Sequence, residues 1–336
     1  MGKRKKRGRA AIGIDIGGTK SLYALFDHNF EVLAEEKLPT DPGKGGIDAF
    51  DRTLRKTVKG LAAECSKRGL KLVAVGAGCA GLVNMRKGTV RLAPNLRFLE
   101  GYAMRKRLEK VVDAPVFLVN DVHAGLYGEL KLGAARKARH VIGVFIGTGV
   151  GGGLVIDRRL HFGANCIAGN VGNYLLHAVH HDDGARKEVL DSVASRTAIA
   201  GDAAALAAKR QAPKLVEVAG TDVRDIKSGD IAEAIAKGDK AVEKLVRSRA
   251  GVVGVALSNL IDFVNPDMVV LGGGIVEALP ELIRSEVEKT VSTHAEKKAY
   301  ASVKIVTAKL HSHAGTAGAA KFALDMLSDD PPVNLG

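Results

Sequence analysis

The chain has 336 residues, of which 46% are hydrophobic, 26% charged and only 4% aromatic, with no tryptophan. This length allows two domains of ordinary size, and the composition is that of a globular protein with an aliphatic core. The formal net charge of +13 would suit a nucleic-acid partner, but residues 1–10 hold six of the cations, and we interpret this segment as a basic, disordered tail. A nucleic-acid role is therefore not expected, and the remaining charge would suit nucleotides or polyphosphate.

Two further features argue against membrane and secreted proteins. The most apolar stretch, residues 251–276, is interrupted by polar residues and a proline, so it predicts no bilayer-spanning helix. The basic N-terminal segment is not followed by an apolar segment of signal-peptide type. The three cysteines, Cys65, Cys79 and Cys166, are odd in number and lack metal-ligand spacing, which favours a reducing compartment and a cytoplasmic protein.

The first predicted element is repeated later in the chain. Residues 11–27 (AIGIDIGGTKSLYALFD) align without gaps to residues 141–157 (VIGVFIGTGVGGGLVID), with five identical positions. Each segment has an apolar strand, a tight glycine turn and a second apolar strand, which predicts a β-hairpin. Glycines at such a turn let a ligand approach the backbone N–H groups closely. The repeat therefore predicts two related domains that hold one anion from both sides.

The segments after each hairpin alternate between helical and strand patterns. In the first half we predict helices over 48–68 and 101–111, strands over 71–77 and 115–119, and a helix from Val122. In the second half we predict helices over 190–209, 228–264, after Pro280 and over 314–327, with strands over 268–271 and 302–307. This alternation indicates an α/β protein. We expect a small domain over 11–125, joined by the final helix, and a larger one over 126–313.

The two hairpin turns carry the first candidate functional residues. In DIGGTK, the turn offers donors for a phosphate, and Asp15 at the strand end would hold a hydrated Mg²⁺. This motif alone could be a plain hairpin turn, but the matching FIGTGVGGG segment favours a phosphate site. The candidate residues of the two turns are Gly17, Gly18, Thr19 and Lys20, and Gly147, Thr148 and Gly149.

A third glycine run, VVLGGG at 269–274, lies between a predicted strand and a helix. Gly273 and Gly274 would let the ribose and base of a nucleotide lie against bare backbone. Taken alone, the run is better explained by close strand–helix packing.

The strand over 115–119 delivers Asn120 and Asp121 to its C-terminal end, just before a predicted helix. Ligands of open α/β sheets bind at that edge, although an aspartate there is commonly no more than a helix N-cap. Phosphoryl transfer to an alcohol needs one carboxylate that orients the hydroxyl and accepts its proton. Asp121 is our candidate for this general base.

These motifs, in this order, resemble those of the ROK family of sugar kinases, from Ala11 to about Leu327. The resemblance implies an actin/hexokinase-like (ribonuclease H-like) α/β fold, duplicated in two domains with a cleft between them. The matching segments are DIGGTK (15–20), GAGCAGLVN (76–84), LAPNL (92–96), VND (119–121), GTGVGGG (147–153), ASRTAIA (194–200), NPDMVVLGGG (265–274) and AGTAGAA (314–320).

The resemblance implies that ATP and Mg²⁺ bind between the domains and that the γ-phosphate is transferred to a sugar hydroxyl, usually at C6. Asp121 matches the catalytic base of the family, and Asn95 and Asn120 match residues that hydrogen-bond the sugar. The glycine turns match the phosphate-binding turns, and Gly273 and Gly274 match the nucleotide side. The family is often dimeric, so a homodimer is also implied.

The chain departs from the family pattern at the sugar-binding end. The family motif AGExGH is replaced by AGNVGN (168–173), so Asn170 and Asn173 stand where a sugar-binding Glu and a zinc-linked His are expected. The zinc-binding cysteines are replaced by HHDDGARKEVLD (180–191), with Asp191 as a shorter acid at the position of a following Glu. By this match Asn170, Asn173 and Asp191 are candidate substrate-binding residues. The family's structural zinc is therefore not expected, and this end of the pocket becomes mostly neutral, because an amide both donates and accepts.

One alternative for this segment is a substitute metal site. Histidine and aspartate suit zinc, and His177 and His181 would share a face if the stretch were helical, but such polar runs are more often exposed loops. The candidate ligands are His177, His180, His181, Asp182 and Asp183.

Three functions remain open. The first is an ATP-dependent kinase whose acceptor is a sugar modified at C1 or C2, a polyol or an unusual hexose rather than glucose. The second is a kinase that uses polyphosphate, as some zinc-free family members do. The third is a non-catalytic sugar sensor. A repressor is not expected, because DIGGTK begins at residue 15 and leaves no room for a helix-turn-helix before it.

Overall fold

The computed structural model describes residues 8–41, 43–181 and 184–333, which divide into two compact units. The first unit comprises residues 8–136, 162–168 and 312–333, and the second comprises residues 137–161 and 169–311. Most of the predicted basic tail, residues 1–7, lies outside the described residues.

The strands, in chain order, are β1 (Arg9–Ile16), β2 (Lys20–Phe26), β3 (Val32–Pro39), β4 (Lys71–Cys79), β5 (Leu82–Asn84), β6 (Thr89–Leu92), β7 (Val116–Asn120), β8 (Val141–Ile146), β9 (Val150–Ile156), β10 (Arg159–His161), β11 (Leu175–His181), β12 (Gly184–Val189), β13 (Met268–Gly272) and β14 (Lys304–Thr307).

The α-helices are α1 (Gly46–Lys67), α2 (Met104–Leu108), α3 (Asp121–Lys131), α4 (Leu190–Ala194), α5 (Arg196–Ala208), α6 (Pro213–Ala219), α7 (Ser228–Ala236), α8 (Lys240–Val264), α9 (Gly274–Ala278), α10 (Pro280–His294), α11 (Lys297–Ala301) and α12 (Ala314–Asp325). Among the described residues, no helix is both long enough and apolar enough to cross a bilayer.

The first unit is built on a five-stranded sheet in the order β3-β2-β1-β4-β7. β1 and β2 form the predicted antiparallel hairpin, and β4 and β7 continue the sheet in parallel with β1. The strands bury aliphatic side chains such as Ile12, Ile14 and Val75. Parallel strands place their carboxyl ends at one edge, so the chain after β1, β4 and β7 emerges on the same side.

Helix α12 packs against β1, β4 and α3 of the first unit. Its sequence, AGTAGAAKFALD, presents small residues that let the backbone approach the sheet closely. A Cβ at Gly13 would overlap the carbonyl oxygen of Thr316, and a Cβ at Gly76 would overlap that of Ala319. Glycine is therefore required at these two strand positions by steric exclusion.

The second unit contains a five-stranded sheet in the order β10-β9-β8-β13-β14. β8 and β9 form the second predicted hairpin, and β13 and β14 run parallel to β8. The core is almost wholly aliphatic, with Val253 and Leu257 of α8 and Val287 of α10 fully buried beside Val269. Both sequence-predicted hairpins are thus confirmed.

Several predicted helices differ from the structure for local reasons. The helix predicted over 228–264 is two helices, because Gly238 adopts φ +88° and Asp239 caps the start of α8 by accepting from Val242 N–H. The helix predicted over 190–209 is likewise interrupted at Ser195, whose hydroxyl accepts from Ala198 N–H. The helix predicted over 101–111 is only one short helix, α2.

Among the described residues, four strand pairings involve strands that were not predicted from the sequence: β2–β3, β5–β6, β9–β10 and β11–β12. β3 forms the edge of the first sheet, and its polar, largely exposed sequence VLAEEKLP gave no strand signal. β11 and β12 form an antiparallel hairpin over the stretch interpreted above as an exposed loop or a helical metal site.

The close packing of α12 gives a test of the fold. Gly76→Ala should destabilise the protein by about 3 kcal/mol or more, because backbone atoms on both sides must shift. Gly60→Ala is the matched control. Gly60 is an exposed residue of α1 with open space at its Cβ position, and alanine favours helix. Thermal denaturation measures both variants, and an equal effect at the two positions would contradict the packing argument.

Candidate functional site

Asp15 and Asp121 lie at the same edge of the first sheet. Asp15 pairs in register with Gly78 of β4, and Gly78 pairs with Val119 at the end of β7. A Cβ at Gly78 would lie 3.3 Å from Asp121 Cα and 3.2 Å from Ala124 Cβ, so the glycine lets α3 start close to the sheet. The strand register therefore brings the two predicted carboxylates together in the first unit.

The amide of Asn120 makes four hydrogen bonds within the protein. Its Oδ1 accepts from Val122 N–H (3.0 Å) and His123 N–H (3.1 Å), which caps α3. Its Nδ2 donates to Gly81 O (2.9 Å) and to Asp121 Oδ1 (2.8 Å). An amide has two donor hydrogens and two acceptor lone pairs, so these bonds use its full capacity. Asn120, not Asp121, is thus the helix N-cap, and Asp121 occupies the first helical position.

Burial raises the pKa of Asp121 to about 6, although backbone N–H groups at the start of α3 and the Asn120 amide favour its ionised form. The opposing effects leave a carboxyl group that is ionised at neutral pH and still accepts protons near pH 6. This is the range in which a carboxylate works best as a general base.

Asp15 is perturbed more strongly than Asp121. Burial, followed by the negative charge of Asp121, raises its pKa to about 7. Its carboxylate lies against Gly315 in the first turn of α12, where the positive end of the helix dipole faces it. Asp15 is therefore costly to ionise beside Asp121. A hydrated divalent cation would remove that cost, so Asp15 is a good ligand for one.

The first glycine turn lies beside Asn95. Gly17 N–H donates to Lys20 O (3.2 Å) and closes the turn, while the Thr19 and Lys20 side chains are exposed. A Cβ at Gly18 would lie 3.5 Å from Asn95 Cβ, so the exposed Asn95 stands next to the turn. Of the residues predicted for the site, the first unit therefore groups Asp15, Gly17, Gly18, Thr19, Lys20, Asn95, Asn120 and Asp121 at one sheet edge.

The second glycine turn is held by Asp191. Gly147 N–H donates to Gly149 O (2.8 Å), and Val150 N–H donates to Asp191 Oδ1 (2.6 Å). A Cβ at Gly149 would lie 2.7 Å from the same carboxylate oxygen, so only glycine fits there. One oxygen of Asp191 is thus committed to the turn.

The start of α5 supports the same turn. Arg196 N–H donates to Gly147 O (2.9 Å), and Thr197 Oγ1 donates to Thr148 O (2.7 Å). Both residues belong to the ASRTAIA motif at residues 194–200. The motif was therefore the available signal for these two supporting residues.

The remaining predicted residues of the second unit lie near this turn. Gly273 has φ +87°, and a Cβ there would lie 2.5 Å from the carbonyl oxygen of Ile146, which precedes the turn. Gly274 begins α9, and its Cβ position lies 3.4 Å from Ser228 Oγ. Gly273 therefore lets the ends of β8 and β13 lie close together, and Gly274 starts the helix that follows β13.

Asn170 precedes a short 3-10 turn, Val171–Asn173, which ends with Asn173, and both asparagines are exposed. Gly172 between them approaches Val150 O so closely that a Cβ would overlap it, and that Cβ position lies 3.5 Å from Asp191 Cβ. The two asparagines therefore belong to a turn packed beside Asp191.

The candidate metal site is not a helix. His177 lies in β11, and Asp182 and Asp183 lie outside the described residues. Within residues 8–41, 43–181 and 184–333, no group of three or more His, Cys, Asp and Glu side chains is arranged to hold a metal ion.

Comparison with known proteins identifies the family. The profile of the ROK family matches residues 11–326. A glucokinase from Streptomyces coelicolor is 30% identical over 93% of this chain and 96% of its own length. The predicted family is confirmed by these two matches.

Solved structures agree with the fold. The crystal structure of a ROK family glucokinase from Streptomyces griseus in complex with glucose and AMPPNP is 27% identical, with a TM-score of 0.81, and the match covers 94% of this chain and 99% of that one. The predicted actin/hexokinase-like α/β fold is thereby confirmed. A xylose repressor from Caldicellulosiruptor bescii is also similar, with 27% identity over 94% of this chain and 79% of the repressor.

The raised pKa values of Asp15 and Asp121 predict a stability effect. Because the folded protein binds these protons more tightly than the unfolded chain, their stabilisation is complete below about pH 4 and is lost as pH rises through 6 to 7. Asp15→Asn and Asp121→Asn should therefore raise the Tm at pH 8 in EDTA by about 3 °C, with little effect at pH 4 to 5.

The exposed Asp48 of α1 supplies the control. Asp48→Asn should change the Tm by less than about 1 °C at either pH. Differential scanning calorimetry measures all three variants, and a lower Tm at pH 8 for both site variants would contradict the predicted cost of ionisation.

Proposed function

Because the chain belongs to the ROK family, we propose that it is a carbohydrate kinase that phosphorylates a hydroxyl, of C6 type, on a sugar or sugar-like alcohol with ATP and Mg²⁺. The observation that carries this proposal is Asp121, a carboxylate with a pKa of about 6 at the start of a helix and at the edge of a sheet. The similar proteins that support this proposal include the glucokinases of Streptomyces coelicolor and Streptomyces griseus.

Asp121 acts as the general base. In its ionised form it accepts a hydrogen bond from the acceptor hydroxyl and orients that oxygen. It would take the proton as the oxygen bonds to the γ-phosphorus of ATP and the bond from that phosphorus to ADP breaks, with ADP as the leaving group. A pKa near 6 keeps most of the carboxylate ionised at pH 7 and still basic enough for this transfer.

Asn120 orients this base. Its Nδ2 donates to Asp121 Oδ1 while its Oδ1 caps α3, so the carboxylate is fixed relative to the helix. In this proposal the acceptor hydroxyl approaches the other carboxylate oxygen. A direct contact between Asn120 and the sugar would require one of the four protein hydrogen bonds to be exchanged, so we assign Asn95 the more direct contact.

Residues of each unit, taken separately, suit parts of the donor. Asp15 supplies an oxygen ligand suited to hydrated Mg²⁺, and the two glycine turns supply N–H groups suited to phosphate oxygens. When bound, Mg–ATP supplies the activated phosphoryl group. Gly273 and Gly274 leave bare backbone for the nucleoside, and Asp191, Arg196 and Thr197 keep the second turn in shape.

The acceptor end differs from that of a glucose-specific site. Asn170 and Asn173 present neutral amides, and Asp191 has one oxygen committed to Val150 N–H. A site with few free carboxylates offers fewer charged acceptors for hydrogen bonds from free hydroxyls at C1 and C2, so it selects those hydroxyls less strongly. We therefore propose an acceptor modified at C1 or C2, a polyol or an unusual hexose.

The activity test combines donors and acceptors. The purified protein receives Mg²⁺ with ATP or with polyphosphate, and phosphate transfer is measured across hexoses, amino sugars, glycosides and polyols. Asp121→Asn should lower kcat about 10²- to 10⁴-fold without preventing folding, and the wild-type kcat/KM should fall below about pH 6. No transfer from either donor would favour the sugar sensor, and an active Asp121→Asn variant would rule out the proposed base.

A second variant tests the acceptor end. Asn170→Glu restores the carboxylate of the family motif and should lower the KM for D-glucose about tenfold, because a hydrogen bond to a charged acceptor is the stronger one. Asn170→Gln has the same length without the charge and should leave that KM within about twofold of wild type. An equal KM for the Glu and Gln variants would show that Asn170 lies away from the acceptor.

A further inference from the structure

His123 is a buried residue beside the proposed base that the mechanism does not use. It lies in the first turn of α3, two residues after Asp121, and is 4% exposed. Its Nε2 lies 3.3 Å from Ala168 O, and its ring packs edge-on against Phe162 with centroids 5.0 Å apart. One side chain therefore contacts both ends of the segment 162–168.

The chemistry of the hydrogen bond fixes the state of the ring. A carbonyl oxygen only accepts, so Nε2 carries the hydrogen and donates it. Burial lowers the pKa of His123, with the bond to Ala168 O as the smaller, opposing effect, and the imidazole is therefore neutral at pH 7. His123 is a fixed single donor rather than a pH-sensitive charge.

The contacted segment is a compact loop of the first unit. Ala168 N–H donates to Phe162 O (3.1 Å), which closes the loop, and Gly163 and Cys166 take positive φ values of 67° and 60° inside it. Phe162 also packs edge-on against Phe322 of α12, with centroids 6.4 Å apart. The loop is thus anchored by its apolar end to the body of the first unit.

The loop leads directly into the turn that recognises the acceptor in our proposal. Ala168 is followed by Gly169 and Asn170, so the carbonyl that accepts from His123 lies two residues before the first of the two asparagines. The hydrogen bond from His123 Nε2–H to Ala168 O therefore ties the end of this loop, within the first unit, to the helix that begins with the base.

We propose that His123 is a positioning residue for acceptor recognition, which holds Ala168, at the end of the loop that precedes Asn170 in the chain, against the helix of Asp121. This inference rests on the proposed kinase function. A histidine that served only to fill space would need its ring and not its donor. The donor and the ring can be separated by substitution.

The experiment compares two substitutions at this position. His123→Leu keeps an apolar side chain of similar volume against Phe162 and removes the donor, whereas His123→Gln keeps an N–H at a similar distance from the backbone. If His123→Leu does not fold, His123→Asn replaces it, because the shorter amide withdraws the donor from Ala168 O. Tyr102→Phe is the matched control, since it removes another buried hydrogen bond of the first unit, the 2.6 Å bond to Asp51.

Two readouts are taken for each variant. Steady-state kinetics give separate KM values for ATP and for D-glucose or the acceptor with the highest kcat/KM in the activity screen. Hydrogen–deuterium exchange reports the protection of the amides of residues 162–173 without requiring activity. For His123→Leu we expect an acceptor KM about five- to tenfold higher, an unchanged ATP KM and faster exchange in 162–173. His123→Gln and Tyr102→Phe should resemble wild type in both.

The outcomes separate this inference from the proposed function. An unchanged acceptor KM in His123→Leu, or an equal rise in the ATP KM, would overturn the positioning role. A wild-type protein inactive with every acceptor and donor would instead contradict the kinase proposal. In that case the exchange data alone test the role of His123. Unchanged protection of residues 162–173 in His123→Leu would overturn it, and faster exchange there would support it.

Discussion

Two carboxylates held at one edge of one sheet are the constraint on which the first unit depends. The register of β1, β4 and β7 forces Asp15 and Asp121 together, and burial makes both costly to ionise. Asp121 begins α3, whose N–H groups reduce that cost, and Asp15 lies against the first turn of α12, where the helix dipole favours a negative charge. The cost that remains is a loss of stability at neutral pH, which protein active sites commonly carry in return for reactivity.

The sequence predicted the parts of this arrangement that follow from local pattern. Both hairpins, the strand before Asp121 and the family were readable, because apolar strands, glycine turns and ordered motifs are local signals. Gly238 and Ser195 are also sequence signals for a helix end and a helix cap, but the helical periodicity on either side obscured them. β3 could not be predicted, because an exposed edge strand carries polar residues on both faces.

Residue roles were harder to predict than residue positions. Asn120 was predicted as a sugar ligand, yet its amide is saturated by four protein hydrogen bonds, a fact that depends on where Gly81 O lies. Asp191 was predicted from the family pattern as a shortened substrate ligand, and its Oδ1 holds Val150 N–H. A motif gives the type of side chain at a position, whereas the partners of each donor and acceptor come only from the three-dimensional fold.

The placement of α12 has a consequence for how the protein is made. Gly13 and Gly76 leave room on the first sheet for a helix that follows the whole second unit in the chain. During synthesis the strands β1 and β4 therefore emerge long before the helix that covers them, and the residues of the second unit are complete first. The first unit therefore cannot complete its fold until the second unit has been synthesised. Until then, the apolar face of β1 and β4 lacks the helix that covers it.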